Sequence, residues 1–385
     1  MAARKRERVS LSEATELMKR EGVALRQRLG SERLAVWQAH LRVLASDVCL
    51  ERDLPPWDIA TMDGFALSSS SDYPLKICGN VYAGDACPPP LKNGEAVRIA
   101  TGAPLPCGAD AILKMEDAIV RGTEVRGPPV HKGSYVLAKG SDLKKGMVLK
   151  AGVVLDWRAM ALAAACTPFV EVVKAPKVGV LSSGDEIRRG AVPDTNASMV
   201  CGLLRGLGAQ ALHLGVLPDE PRTCQTMLES VSDEVDVLVT IGGASVGERD
   251  YVWRVLERTV FRGVGVRPGK PLTLGYVHDT PLVCLPGKPI GAYTAMRLVV
   301  SHLFCTPSTT TCTASMGCSV DIPSDGFQYV LYGHLSNGIF TPIGVVGKKY
   351  SVSVVSAMLS GMMCDGYVLL DEPVDAGDNV EVSLM

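Results

Sequence analysis

Several things are scarce in this chain, and each scarcity excludes a class. Aromatic residues make up 5% of it, too few for the stacking platforms that bind single-stranded nucleic acid. The formal net charge is -2, so there is no basic footprint for a phosphate backbone. No apolar run approaches the roughly 20 residues needed to span a bilayer. The 6 histidines include no H-E-x-x-H, and the 12 cysteines no C-x-x-C or zinc-type spacing. Scattered cysteines of this kind read as reduced, buried small hydrophobes and point to a reducing compartment. The basic start, ARKRER, reads as a solvated end rather than a targeting signal, which leads to the expectation of a cytoplasmic protein.

What is present is an ordinary globular composition, 47% hydrophobic and 21% charged, over 385 residues, enough for two to four domains. Ser10 and Glu13 form a capping box opening a helix, and residues 10 to 50 read as helical throughout, including LAVWQAHLRVLASDV. The character changes at Asp53. DLPPWDIATMDGFAL and GDACPPPLKNG are rich in turn residues, and short β-like runs (LKIC, AVRIAT, DAILKM, EVRG) lie around them, predicting a small β-rich domain over 51–141. DWRAMALAAAC is predicted helical and FVEVV a strand.

From Pro176 strands alternate with helices: PKVGVLSS, SMVCGLLRGLGA, ALHLGVL, RTCQTMLESV, VDVLVTI, PLVCLPG and PIGAYTAMRLVVSHLF. That alternation predicts βαβ units in a mostly parallel sheet. TPSTTTCTAS then reads as a linker, and FQYVLYGHL, YVLLDE and NVEVSLM as strands of a small barrel or sheet.

In an open α/β sheet ligands bind beyond the carboxyl ends of the strands, at a topological switch. Two loops qualify, SSGDE (Ser182 to Glu186) and GGASVGERD, which follows the apolar run DVLVTI. Glycines let a ligand approach the backbone, and exposed N–H groups can cradle phosphate. Carboxylates in the same loops would repel phosphate unless a hard cation sits between, and Mg²⁺ binds through one or two carboxylates plus phosphate oxygens. Asp185, Glu186 and Asp250 therefore suit a cation-assisted phosphate site, although Asp185 and Asp250 equally suit helix caps. Arg267 and Lys270, around a Pro-Gly turn, suit either an oxyanion or a solvated surface. VRPGKP is not a P-loop, because proline replaces the Ser/Thr, and GLLRGLG is not a dinucleotide fingerprint, because it lies inside a helix.

Together, MDGFA, TGAP, SSGDE, PDTNASM, GGASVG, RPGKP and LPGKP resemble, in content and order along nearly the whole chain, the MoeA family of molybdopterin molybdenumtransferases, which includes the E domain of gephyrin. The resemblance implies a multidomain α/β protein. Its parts would be a helical domain of 1–50 plus 142–175, an inserted β-rich domain of 51–141, an α/β molybdopterin-binding domain of 176–306 and a C-terminal β-barrel domain of 317–385. It implies an elongated homodimer, insertion of molybdate into adenylylated molybdopterin with AMP release, and a divalent cation such as Mg²⁺. A molybdopterin adenylyltransferase is an implied partner.

By the same resemblance, Asp63, Thr101, Asp142, Glu186 and Asp250 are catalytic, with Asp250 and Asp185 toward the metal. Ser183, Gly184, Asp185 and Asn196 would contact substrate, as would Gly242, Gly243, Ser245 and Gly247. Arg267, Lys270 and Pro271 fall, with Ser245, where the family places molybdate; Pro286 and Pro289 flank the next loop, and Ser356 matches a C-terminal serine. The chain departs from the family pattern at Ile59-Ala60-Thr61, Ser141, Ile241, Arg262-Gly263 and Arg267, and at Lys288 and Gly291, where LPGNPVS has become LPGKPIG. Two other readings fit the same loops: an adenylylating enzyme built on the α/β domain, and a paralogue that binds cofactor or scaffolds partners.

Overall fold

A computed structural model describes residues 8–243, 252–305, 309–355 and 363–385. Two compact units are present: one of Met1–Ser46, Ala151–Met160 and Phe169–Met385, the other of Asp47–Lys150 and Ala161–Pro168.

The first unit opens with α1 (Leu11–Leu29), where Ser10 Oγ accepts the Glu13 N–H at 3.1 Å. Ala14, Met18, Gly22 and Leu25 form its buried stripe at helical spacing. The predicted helix beyond it does not form. Ser31–Ala35 is instead a strand paired antiparallel with Phe169–Val173, followed by a 3₁₀ turn at Val36–Gln38. The pairing places Leu34 opposite Val170, a partner too distant in sequence for local spacing to reveal.

The alternating segment forms a six-stranded sheet. Its strands are β1 (Lys177–Ser183), β2 (Gln210–Leu217), β3 (Val237–Ile241), β4 (Arg258–Arg262), β5 (Thr273–Val277) and β6 (Thr280–Leu285). Their order is β2-β1-β3-β6-β5-β4, with β2, β1, β3 and β6 parallel and β5 antiparallel to both of its neighbours, β6 and β4. Every residue of β3 and β6 is buried, as their unbroken apolar runs require of strands covered on both faces. Helices α2 (Thr195–Gly206), α3 (Pro221–Ser232) and α4 (Pro289–Ala295) supply connections, and α4 runs on through a π turn at Met296–Val300.

The expected linker is in part a strand. Thr311–Met316 (β7) joins β8 (Gln328–Ser336), β9 (Ile339–Pro342), β10 (Gly366–Leu370) and β11 (Asn379–Leu384) in a closed five-stranded barrel ordered β8-β9-β7-β11-β10 and back to β8. Polar threonines at 311 and 313 face outward, so alternation, not loop chemistry, explains this composition. The two-residue strand Val266–Arg267 pairs parallel with Gln328–Tyr329 of β8. One hydrophobic cluster runs through α1, the sheet and the barrel, including Met18, Val239, Leu285, Tyr332 and Val382.

The second unit is built on a six-stranded sheet ordered 111–114, 64–67, 95–99, 75–81, 124–126 and 119–121. All four short β-like runs of this region lie in it. At its centre, an added Cβ on Gly64 would lie 2.0 Å from Leu113 O of the neighbouring strand.

All 12 cysteines are free. Burial of the expected kind holds for Cys201, Cys224, Cys284 and Cys364, and pushes the Cys284 thiol up to about 12, but Cys49, Cys78, Cys87 and Cys107 are exposed. Among the described residues, no helix is long and apolar enough to cross a membrane.

Candidate functional site

After β1 the chain moves to β2 on one side of the sheet, and β3 lies on the other, so the switch point falls between β1 and β3. SSGDE ends β1 and the Gly242-Gly243 pair ends β3, so both candidate loops flank this crevice. The apolar strand ends in two glycines for a packing reason. Gly242 and Gly243 have φ of 90° and 68°, and a Cβ on Gly243 would lie 2.5 Å from Val252 Cγ2. A Cβ on Gly242 would sit 3.3 Å from Ser183 O, and one on Gly287, after β6, 3.4 Å from Gly242 Cα. Three loops therefore meet backbone to backbone through glycine. Asp194 caps α2 by accepting from Ala197 N at 3.0 Å, and Asn196 in its first turn donates from Nδ2 to Gly287 O at 2.8 Å. Asn196 Oδ1 is buried there with no hydrogen-bond partner. Ser183, Asn196, Gly242, Gly243 and Pro286 thus belong to one cluster.

The acids of SSGDE divide. Asp185 accepts from Arg188 Nε at 3.1 Å and from Arg189 Nη2 at 3.2 Å, so both its oxygens face arginines. Glu186 is exposed, lies against Gly184, and has no cation partner among the described residues. A hard cation with phosphate oxygens needs one or two carboxylates, and Glu186 is the one available in this loop. Among the described residues no cluster of three metal-ligating side chains occurs.

Beside the crevice, RPGKP and LPGKP enclose an open pocket of about 450 Å³, lined by Arg267, Lys270, Pro271, Pro286, Lys288 and Ser353, among others. Pro289 sits at the start of α4 just behind Lys288. Arg267 is held by the barrel: Nη1 lies 3.0 Å from Asp325 Oδ2 and donates to Tyr329 Oη at 3.4 Å, and the guanidinium stacks 3.9 Å above Phe327. Tyr329 Oη in turn donates to Asp325 Oδ2 at 3.0 Å. Asp325, Phe327 and Tyr329 escaped the sequence reading because nothing in FQYVLYGHL marks which strand will touch Arg267. Lys288 and Gly287 were seen as loop residues, but only the packing shows that they line the pocket.

In the second unit, Asp63 of MDGFA and Thr101 of TGAP come together. Asp63 Oδ1 accepts from Thr101 N at 2.7 Å and from Thr101 Oγ1 at 2.8 Å. Both groups are exposed, and the Thr101 N–H followed by its O–H holds the carboxyl below its ordinary range. A depressed carboxyl stabilises the fold above the unfolded value, near 4, and that contribution is lost as pH falls through the folded value. An NMR acid titration is expected to show the Asp63 carboxyl and the Thr101 amide shifting together below pH 4, and Asp63→Asn to flatten the amide curve. Asp142 is exposed, and its N–H donates to Leu54 O at 3.1 Å. Ser245, Gly247, Asp250 and Ser356 lie outside the described residues.

The family described as the MoeA N-terminal region (domain I and II) matches residues 9–167, and a probable molybdopterin binding domain matches 179–304. A relative in Synechococcus elongatus, a molybdopterin molybdenumtransferase, is 33% identical over 310 residues, covering 73% of this chain and 76% of its own. The chain belongs to the molybdopterin molybdenumtransferase family. A second family member, in Haemophilus influenzae, is 31% identical over 290 residues, covering 71% of this chain and 72% of its own. The MoeA fold is shared with the molybdopterin biosynthesis MoeA protein of Pyrococcus horikoshii, at a TM-score of 0.68 and 29% identity over 98% of this chain and 99% of that one. A second structure from that organism has a TM-score of 0.75 at 24% identity, covers 98% of this chain and 100% of that one, and bears on the fold alone. The first matched region holds Asp63 and Thr101, and the second holds the switch-point loops.

Proposed function

We propose that this protein is a molybdopterin molybdenumtransferase that inserts molybdate into adenylylated molybdopterin, releasing AMP. The observation that carries this reading is the meeting of the Ser183, Gly242 and Gly287 loops at the switch point, with the cationic pocket of Arg267, Lys270 and Lys288 opening from the last of them. The crevice offers close backbone approach, which suits a pyrophosphate. The pocket offers ammonium donors for charge-assisted hydrogen bonds, which suit a tetrahedral dianion. Substrate and oxyanion are then delivered to one another from adjoining loops, and their orientation is itself a large part of the rate.

Glu186, with Asp250 from the loop beyond Gly243, would hold a divalent cation such as Mg²⁺. When bound, that cation neutralises charge on the phosphate under attack. Ser183, Gly184 and Asn196 line the nucleotide side in this reading, with Ser245, Gly247 and Pro271 toward the oxyanion. Asp185 orders the loop through its two arginines rather than ligating metal. Asp63 and Thr101 present an ordered carboxylate from the inserted domain, and Asp142 lies near the end of that insertion. A homodimer, the four-domain division and a cytoplasmic location complete the proposal.

The test is a single-turnover assay with adenylylated molybdopterin, molybdate and Mg²⁺, following AMP release and reconstitution of a cofactor-free molybdoenzyme. Molybdate-dependent AMP release that disappears in Asp250→Ala is expected. Tight substrate binding without turnover would favour a cofactor-binding paralogue instead.

A further inference from the structure

The three cations of the pocket are not equivalent. Arg267 is already answered, by Asp325 at 3.0 Å and by the Phe327 ring. Lys270 and Lys288 are exposed, and neither has an ion-pair partner among the described residues; Lys270 has only a contact at 5.5 Å with the Phe327 ring. Lys288 immediately precedes α4 but makes no side-chain hydrogen bond to it, so the helix does not use its ammonium. No carboxylate lines the pocket among the described residues. Two ammonium groups on facing loops without a counter-charge repel one another, and a bound anion reverses the sign of that interaction.

We propose that Lys288 is a direct ligand of the tetrahedral oxyanion, and that Lys270 and Lys288 together, rather than Arg267, supply the charge that binds it. The inference rests on the reading of this chain as a molybdate-using enzyme and names a specificity-determining residue for it. Ammonium groups act as point charges and impose less shape than a guanidinium fork. Oxyanion choice in this pocket therefore follows charge and size: tungstate competes with molybdate, and monoanions such as perrhenate do not. Because both lysines are exposed, binding falls steeply with ionic strength.

The experiment is calorimetric titration of the full chain with molybdate alone and, separately, with AMP, in wild type, Lys288→Asn and Lys288→Arg, beside molybdate saturation curves in the turnover assay. Lys288→Asn is expected to weaken molybdate binding about tenfold, the scale of one charged hydrogen bond, and to raise KM for molybdate in step. AMP affinity should stay unchanged, and Lys288→Arg should restore most of the molybdate affinity. Weakened AMP binding with molybdate binding intact would assign Lys288 to the nucleotide phosphate and overturn the proposal. Unchanged molybdate affinity in Lys288→Asn would overturn it as well, even if the enzyme inserts molybdenum. Conversely, Lys288-dependent molybdate binding without molybdate-dependent AMP release would uphold the ligand and remove the transferase reading.

Discussion

Gly64→Ala is expected to lower the stability of the inserted unit by more than about 3 kcal/mol, at the severe end of single substitutions. The new methyl would lie 2.0 Å from Leu113 O, and the obstruction is backbone, not the tip of a movable side chain. Gly64 is paired on both sides, with Ile99 and with Lys114, so the strand cannot shift away from one neighbour without pressing on the other. Asp63 precedes it directly, and its hydrogen bonds to Thr101 would be displaced by the same movement. Differential scanning calorimetry checks this against Gly79→Ala, a glycine of the same sheet with nothing within 4 Å of its added Cβ. Equal melting temperatures for the two variants would show that the sheet yields more readily than its packing implies.

Lys270→Ala is expected to lower kcat/KM for molybdate ten- to a hundredfold, from the loss of a charged contact of roughly 1.5–3 kcal/mol at tenfold per 1.4 kcal/mol. No carboxylate offsets Lys270 in the pocket among the described residues, so removing it subtracts charge directly from the proposed anion site. Arg267→Lys tests the contrast. It preserves charge but breaks the stacking on Phe327, and its cost should come through misplacement of the loop. Steady-state kinetics with molybdate varied at saturating adenylylated molybdopterin reads both variants. A Lys270→Ala enzyme with wild-type kcat/KM would remove this residue from the oxyanion site.

The mostly parallel sheet and its two candidate ligand loops were readable because they depend on local pattern: apolar runs at strand length, each stopped by glycine. The contact between Gly287 and Gly242 was not, since it joins the ends of two strands that only the sheet order makes neighbours. Asp63 and Thr101 were both named from their motifs, but their hydrogen bonds are set by the pairing of strands 64–67 and 95–99. LAVWQ failed as a helix and TTTCTAS as a linker for a common reason. Each overlaps a strand, Ser31–Ala35 or Thr311–Met316, whose partner lies far along the chain, Phe169–Val173 in one case and Asn379–Leu384 in the other. Asp185 was read from its loop as a metal ligand or a helix cap, and its pairing with Arg188 and Arg189, about one turn further on, was not legible there.

Two residues of ladder, Val266–Arg267 against Gln328–Tyr329, splice the RPGKP loop into the wall of the barrel. The barrel thus acts as a splint for the RPGKP turn. Its strands fix where the RPGKP turn begins, and Asp325 and Phe327 fix how its first side chain leans. Substitutions in the barrel wall can in this way retune the proposed anion pocket while leaving the RPGKP and LPGKP loops unaltered in sequence.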